Sequence, residues 1–302
     1  MIEDKINQIV LWGHKLHSHT HSYIHFGFKK AFEYLGYRTM WLDNNDNVDN
    51  VNFSNSLFIT EGSVDEKIPI RDDCYYIIHN CNFEKYKNLN RDNILMIQVY
   101  TKDVFKYNLK KIDDYIYFGD KCLYMPWATD LLPFEIDDNI TKLNTFSHNN
   151  IIYLIGMPIY PWDEVARYCN NNNLKYVQLG GFSQNNISSE ENMRLIQNSY
   201  IAPAVQCQWQ VDNGYIPCRI FKNISYGKMG MTNNLTVYEL FDKHINYNPN
   251  TEELMNMGVN FENKTQEEKN SLLIPLMLFV RDKHTYLNRI NMIFRYFNDD
   301  LN

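Results

Sequence analysis

The sequence predicts an α/β chain built as two parallel-sheet domains in tandem. Short apolar runs alternate with helical periodicity from residue 8 onward, the alternation restarts at residue 151, and a polar stretch marked by prolines separates the two series. A length of 302 residues also favours two cores of about 150 residues over one. A single large barrel is the alternative. At 44% hydrophobic and 15% aromatic residues, the chain has enough apolar surface to offset its conformational entropy, which excludes a disordered or fibrous protein.

The first series opens with QIVLWG at 8–13, a strand ending in glycine. A histidine-rich loop and the helical stretch FGFKKAFEYLGY follow, and TMWLD at 39–43 closes a βαβ unit. SLFIT (56–60), CYYIIHN (74–80), ILMIQVY (94–100) and YIYFG (115–119) continue as buried strands. The second series begins with IIYLIG (151–156), a helix over 161–169, the strand LKYVQLGG and the helix SSEENMRLIQNS. It continues with the strand YIAPAV, the helix PCRIFKNISYG, the strand MGMTN and the short helix TVYELF, and residues 265–298 read as helix around Pro275. The expected organisation is an N-terminal Rossmann-like domain over 1–135, a linker over 136–148 and a C-terminal Rossmann-like domain over 149–282. A terminal helix over 283–302 is expected to pack back on the junction. Loops at the carboxyl ends of the two sheets are expected to face one another across a cleft.

A formal charge of −7 disfavours broad attraction to nucleic acid, which needs a positive surface. No apolar run reaches the roughly 20 residues that cross a bilayer, and acidic residues stand near the start where a signal peptide carries positive charge. A soluble, cytoplasmic protein is expected. Cys74, Cys81, Cys122, Cys169, Cys207 and Cys218 form no CxxC pair and are expected as reduced thiols. Neither GxxxxGK[ST] nor GxGxxG occurs, so a P-loop ATPase or dinucleotide dehydrogenase has no direct support.

The densest chemical signal is GHKLHSHTHSYIH, which sets His14, His17, His19, His21 and His25 directly after the first strand. A strand-end histidine can act as a base near neutral pH, because its unperturbed pKa is about 6.5. Metal ligation is the rival use, and helix capping or satisfaction of buried polar groups is the structural alternative. His79 and Asp120 end neighbouring strands and join the candidates. The second signal is 214–234. Pro217 suits a first helical turn and Gly227 a helix stop, and the amides of that turn, with Arg219 and Lys222, suit an anion. An amphipathic helix with solvated cations reads the same way. Trp209, Tyr215 and Tyr226 are candidates for stacking on a base, and Gly180 and Gly181 for close approach of a ligand to the backbone, or for a plain turn.

These residues resemble a family, the GT-B glycosyltransferases of the group 1 type. Pro217 and Gly227 keep that family's helix spacing, His284 and Arg289 keep its terminal His-x-x-x-x-Arg helix, and Pro126, Asp130 and Phe134 match its junction pattern. The opening WGHKLHSHTHSYIHFGFKKAFEYLGY is similar to the acceptor-side first loop and helix of polysaccharide-type members. The resemblance implies metal-independent sugar transfer from a nucleotide-diphosphate donor to a glycan or other hydroxyl acceptor. It implies no cofactor besides the nucleotide-sugar, for which a UDP-sugar is the first expectation. Donor contacts then fall on Gly156, Gly181, Tyr215, Pro217, Arg219, Lys222 and Asn223. The catalytic set is His17, His19, His21 and Asp130, with His14, His25 and His79 on the acceptor side. Lys222 stands where many members carry a donor-binding Glu, and a lysine suits the diphosphate rather than ribose hydroxyls. The alternatives are a metal-dependent hydrolase using His17, His19, His79 and a distal carboxylate, or a non-catalytic glycan- or nucleotide-binding protein of the same fold.

Overall fold

The computed structural model describes residues 1–15, 20–100, 109–113, 116–119, 121–181 and 187–301. The chain divides into two compact units, Met1–Pro126 with Tyr286–Asn302, and Trp127–Thr285.

The first unit is an eight-stranded sheet. Its strands are β1 (Gln8–Trp12), β2 (Thr39–Leu42), β3 (Ser56–Glu61), β4 (Tyr75–His79), β5 (Ile94–Gln98), β6 (Lys110–Asp113), β7 (Ile116–Gly119) and β8 (Cys122–Tyr124), in the spatial order β2-β1-β3-β4-β5-β8-β7-β6. The first six in that order are parallel, and β7 and β6 add antiparallel at the edge. β1 and β3 are buried along their whole length, as expected of apolar runs with no polar alternation. Val10, Trp12, Phe58, Tyr76, Ile78 and Tyr86 belong to one core. α1 (Thr20–Tyr34) follows β1 and packs against the terminal helix of the chain, Tyr286–Phe297. Gly27 permits this approach, since a Cβ there would lie 2.3 Å from the Tyr286 ring.

α1 starts six residues before the expected FGFKKAF stretch. Its buried face is Ile24, His25, Phe28, Ala31 and Phe32, so a histidine occupies a helical core position that a count of apolar residues alone passes over.

The second unit holds two parallel strand pairs, β9 (Ile151–Ile155) with β10 (Lys175–Leu179) and β11 (Met231–Thr232) with β12 (Asn246–Tyr247). Its helices are α2 (Pro133–Lys142), α3 (Trp162–Asn171), α4 (Ser189–Asn198), α5 (Gln208–Asp212), α6 (Cys218–Ser225), α7 (Leu235–Leu240), α8 (Thr251–Glu262) and α9 (Gln266–Lys283). The stretch expected as linker is largely α2. Pro133 opens it, Glu135 accepts from the Leu132 amide at 2.8 Å, and Ile136 and Asn139 turn inward. The expected strand YIAPAV is extended without forming a ladder. The Tyr200 amide donates to the Ile151 carbonyl at 2.7 Å and the Ala204 amide to Met231 at 2.9 Å, while Pro203 between them has no amide to give. The helical stretch expected over 265–298 is two helices, α9 and α10 (Tyr286–Phe297). They are broken at His284 and Thr285, where the chain leaves the second unit.

Lys228 is buried in the second unit and donates to the Ser199 carbonyl at 2.5 Å. Burial pushes its amine down to about 8, against the opposing charge of Glu262. The unfolded chain keeps this proton up to the ordinary value near 10.5, so it binds more protons than the fold between pH 8 and 10.5, and stability rises with pH through that window. The gain from this one group is about 3 kcal/mol. Melting of the wild type and of Lys228→Met at pH 7 and pH 10 checks it: the difference between the two proteins should shift in favour of the wild type at the higher pH.

Candidate functional site

In the first unit the chain runs from β1 to β2 on one side, then crosses to β3 on the other. The strand order therefore reverses between β1 and β3, and the crevice at their carboxyl ends is where an open α/β sheet presents its ligand site. Gly13 leaves β1 with φ +93, and a side chain there would meet Val64 at 2.0 Å. His14 follows in the left-handed region at φ +53. Glu61 ends β3 and is in register with His79, the last residue of β4. His21 and His25 stand one turn apart near the start of α1. Strand ends and a first helical turn thus converge on one group of imidazoles around a carboxylate.

His14 donates from Nε2 to Glu61 Oε2 at 2.8 Å, and Ser63 Oγ donates to Glu61 Oε1 at 3.0 Å. Burial alone would raise the Glu61 carboxyl. The His14 hydrogen bond, the charge of His21 and the Ser63 hydroxyl more than reverse this and hold it at about 2, so the group is an anion. The His21 ring lies 5.5 Å from His14 and 5.3 Å from His79, centroid to centroid. His79 is buried, donates from Nδ1 to the Ile97 carbonyl at 2.9 Å and meets the Asn80 amide with Nε2. Burial pushes its pKa down, so it is neutral. His25 donates from Nδ1 to the Gly13 carbonyl, which also accepts from Trp41 Nε1, each at 2.9 Å. His25 and His79 thereby brace the turn and the strand end, while His14 and His21 flank the carboxylate. His17, His19 and Asp120 lie outside the described residues.

Along β4, β5 and β8, a cavity of about 420 Å³ is lined by Ile78, Asn80, Cys81, Met96, Leu109 and Tyr124, among others. Burial raises the Cys81 thiol to about 12, so no thiolate nucleophile stands there near neutral pH.

In the second unit, Gly156 (φ +133) ends β9, and Gly180 (φ +73) and Gly181 (φ +100) end β10. Gln178 Nε2 ties the two ends together, donating to the Gly156 carbonyl at 2.7 Å and to the Gly180 carbonyl at 2.8 Å. Arg219, the second residue of α6, reaches over them. Its Nη2 donates to the Ile155 carbonyl at 3.3 Å, stands 3.3 Å from where a Gly156 Cβ would be, and its guanidinium lies 5.2 Å from the centre of the Trp162 ring. Pro217 is the residue before the helix, and Gly227 ends it at φ +94. Gln206 and Asn234 fix the Tyr215 carbonyl ahead of the helix, at 3.0 and 2.9 Å.

The same helix turns two other expected donor contacts inward. Lys222 is buried with its Nζ 3.6 Å from Asp130 Oδ2, and Asp130 Oδ1 accepts from the Tyr226 hydroxyl at 2.6 Å. Asn223 donates to the Ala202 carbonyl at 2.8 Å. Lys222 and Asp130 therefore neutralise each other inside the second unit, and Asn223 is a core hydrogen-bonding residue. Tyr226, expected as a stacking candidate, is part of the same buried network. Phe134 is exposed, and the His284 ring stacks 4.4 Å from Phe221.

Glu61, Ser63, Asn80 and Gln178 were not among the sequence candidates. Glu61 ends an apolar strand as His79 does, which is the signal that finds it. Gln178 has none, since only the pairing of β9 with β10 gives it two carbonyls to bridge.

No protein-family model matches the sequence, and no curated protein is significantly similar to it. Among solved structures the chain is similar to one described as an alpha-glucosyltransferase (AGT) in complex with UDP, with a TM-score of 0.58 over 96% of this chain and 99% of that one, at 8% identity. The likeness is one of fold: the chain shares the α/β architecture of that structure.

Proposed function

We propose that the protein is a nucleotide-sugar-dependent glycosyltransferase of the group 1 type, transferring a sugar to a glycan or other hydroxyl acceptor. The observation that carries this reading is Arg219 poised over the glycine-lined ends of β9 and β10. Side-chain-free backbone lets a diphosphate approach closely, and a planar guanidinium matches its oxygens. The first-turn amides of α6 have no intrahelical acceptor and add donors of the same sign. Leaving-group charge is then stabilised by Arg219 and peptide groups without a metal at the diphosphate. Gly156, Gly181 and Tyr215 complete the donor site, with Pro217 setting the helix entry. The UDP named with the solved neighbour makes UDP the first ligand to test. The acceptor is assigned to the first unit, at the carboxyl ends of β1, β3 and β4, where Glu61 and His79 stand.

A panel of UDP, GDP, dTDP and CMP compounds tests the reading by thermal shift and calorimetry. One nucleotide diphosphate should raise the melting temperature by mass action, about 2.7 kcal/mol of stabilisation at a hundred times its Kd. The matching nucleotide-sugar should release that diphosphate only when acceptors are added. If no nucleotide binds, the donor-site assignment is wrong; binding without release in any acceptor mixture makes the chain a binding protein of this fold.

A further inference from the structure

Around Glu61 the structure gathers more ligating atoms than an ion pair uses. One atom each from His14, His21 and Glu61 lie within 4.8 Å of one another, and His14 Nε2 is already 2.8 Å from Glu61 Oε2. We propose that these three side chains form a binding site for a single divalent transition-metal ion of the zinc class, a role separate from the donor site of the second unit.

The donor set selects the class of ion. Two imidazole nitrogens and one carboxylate oxygen suit zinc and its first-row neighbours, whereas magnesium and calcium are held by oxygen alone. Ligands bound at about 2.0–2.2 Å stand roughly 3–3.5 Å apart around a tetrahedral ion. Side-chain rotation brings atoms already within 4.8 Å to that spacing.

The surroundings are those of a built site. Each ligand is fixed by a different element: His14 by a left-handed turn after β1, Glu61 by the end of β3, and His21 by the start of α1. His14 and Glu61 side chains are only 11% and 7% exposed. Ser63 holds Glu61 Oε1 and leaves Oε2 directed at His14, the orienting contact that ligating carboxylates carry. Three protein ligands leave coordination positions open, as in catalytic rather than structural sites. The site sits at the reversal of strand order, so an open position would be available to water or to an oxygen ligand entering there.

The test uses the full, untagged chain, stripped with chelator and titrated with zinc chloride by calorimetry in the absence of nucleotide. One equivalent should bind. Affinity should fall roughly tenfold or more in His14→Ala, His21→Ala and Glu61→Gln, each checked for folding by circular dichroism, and stay unchanged in His148→Ala. Cobalt loading reads the ligands with no substitution at all: visible bands of a nitrogen- and oxygen-ligated ion are expected, and these should be lost in a folded ligand variant. Absence of stoichiometric binding, equal affinity in the ligand variants, or a thiolate-to-cobalt charge-transfer band would each overturn the proposal. None of these outcomes bears on nucleotide binding, so this site and the donor site fail separately.

Discussion

Arg219→Ala should weaken binding of the nucleotide diphosphate by about 1.5–3 kcal/mol, roughly 10- to 150-fold, while the protein still folds. Hydrogen bonds to a charged partner account for this range, and the guanidinium is the cation placed over Gly156. Turnover should fall further than affinity, because charge on the departing diphosphate grows in the transition state; loss of one such donor costs about 10²–10³ in kcat. Arg219→Lys should recover part of the binding and little of the rate, since a point charge cannot reproduce a planar, bidentate contact. The stability change should stay near the cation–π contact with Trp162, about 0.5–1 kcal/mol. Calorimetry with UDP and a coupled assay for released diphosphate measure both, and an unaltered affinity would remove Arg219 from the donor site.

Lys222→Met should act in the opposite sense, with a large loss of stability and little change in nucleotide affinity. Lys222 and Asp130 are 8% and 3% exposed and 3.6 Å apart. Removing the lysine leaves a buried carboxylate, held by the Tyr226 hydroxyl, without its counter-ion. Breaking a buried pair in this way costs about 3–5 kcal/mol, which lowers the melting temperature of a unit this size by roughly 6–20 °C. Asp130→Asn alone should also destabilise by stranding the lysine charge. The double variant Lys222→Met with Asp130→Asn should lose much less stability than the sum of the single losses, because no charge is then left buried. Additive losses, or nucleotide affinity falling as far as in Arg219→Ala, would return Lys222 to the donor site.

The contrast between these two cations shows where sequence reasoning reached and where it stopped. Pro217, Arg219 and Gly227 were legible because a helix start, a first-turn cation and a glycine stop are local features, and the structure has the helix at Cys218–Ser225. Lys222 was legible as a cation on that helix, but the direction it points depends on Asp130, which lies far away in the chain. The strands β1, β3, β4 and β5 were readable as apolar runs. α2 was harder to see because most of its residues are polar and only Ile136 and Asn139 are buried. In the first unit the histidines announced a site, and Glu61 was visible as the end of an apolar strand, but its place beside His14 required the pairing of β3 with β1, a contact between distant segments.

The first unit is discontinuous, and this bears on how the nascent chain acquires its structure. Residues 286–302 belong with residues 1–126, so they leave the ribosome only after the whole intervening unit has been made. Until then Pro126 lacks the Arg289 Nε contact at 2.7 Å, Ile94 lacks the Tyr296 hydroxyl at 3.1 Å, and Ile2 lacks the Asn298 side chain at 2.6 Å. The second unit is one uninterrupted segment and can close while it emerges, so the half of the chain synthesised first is the half completed last.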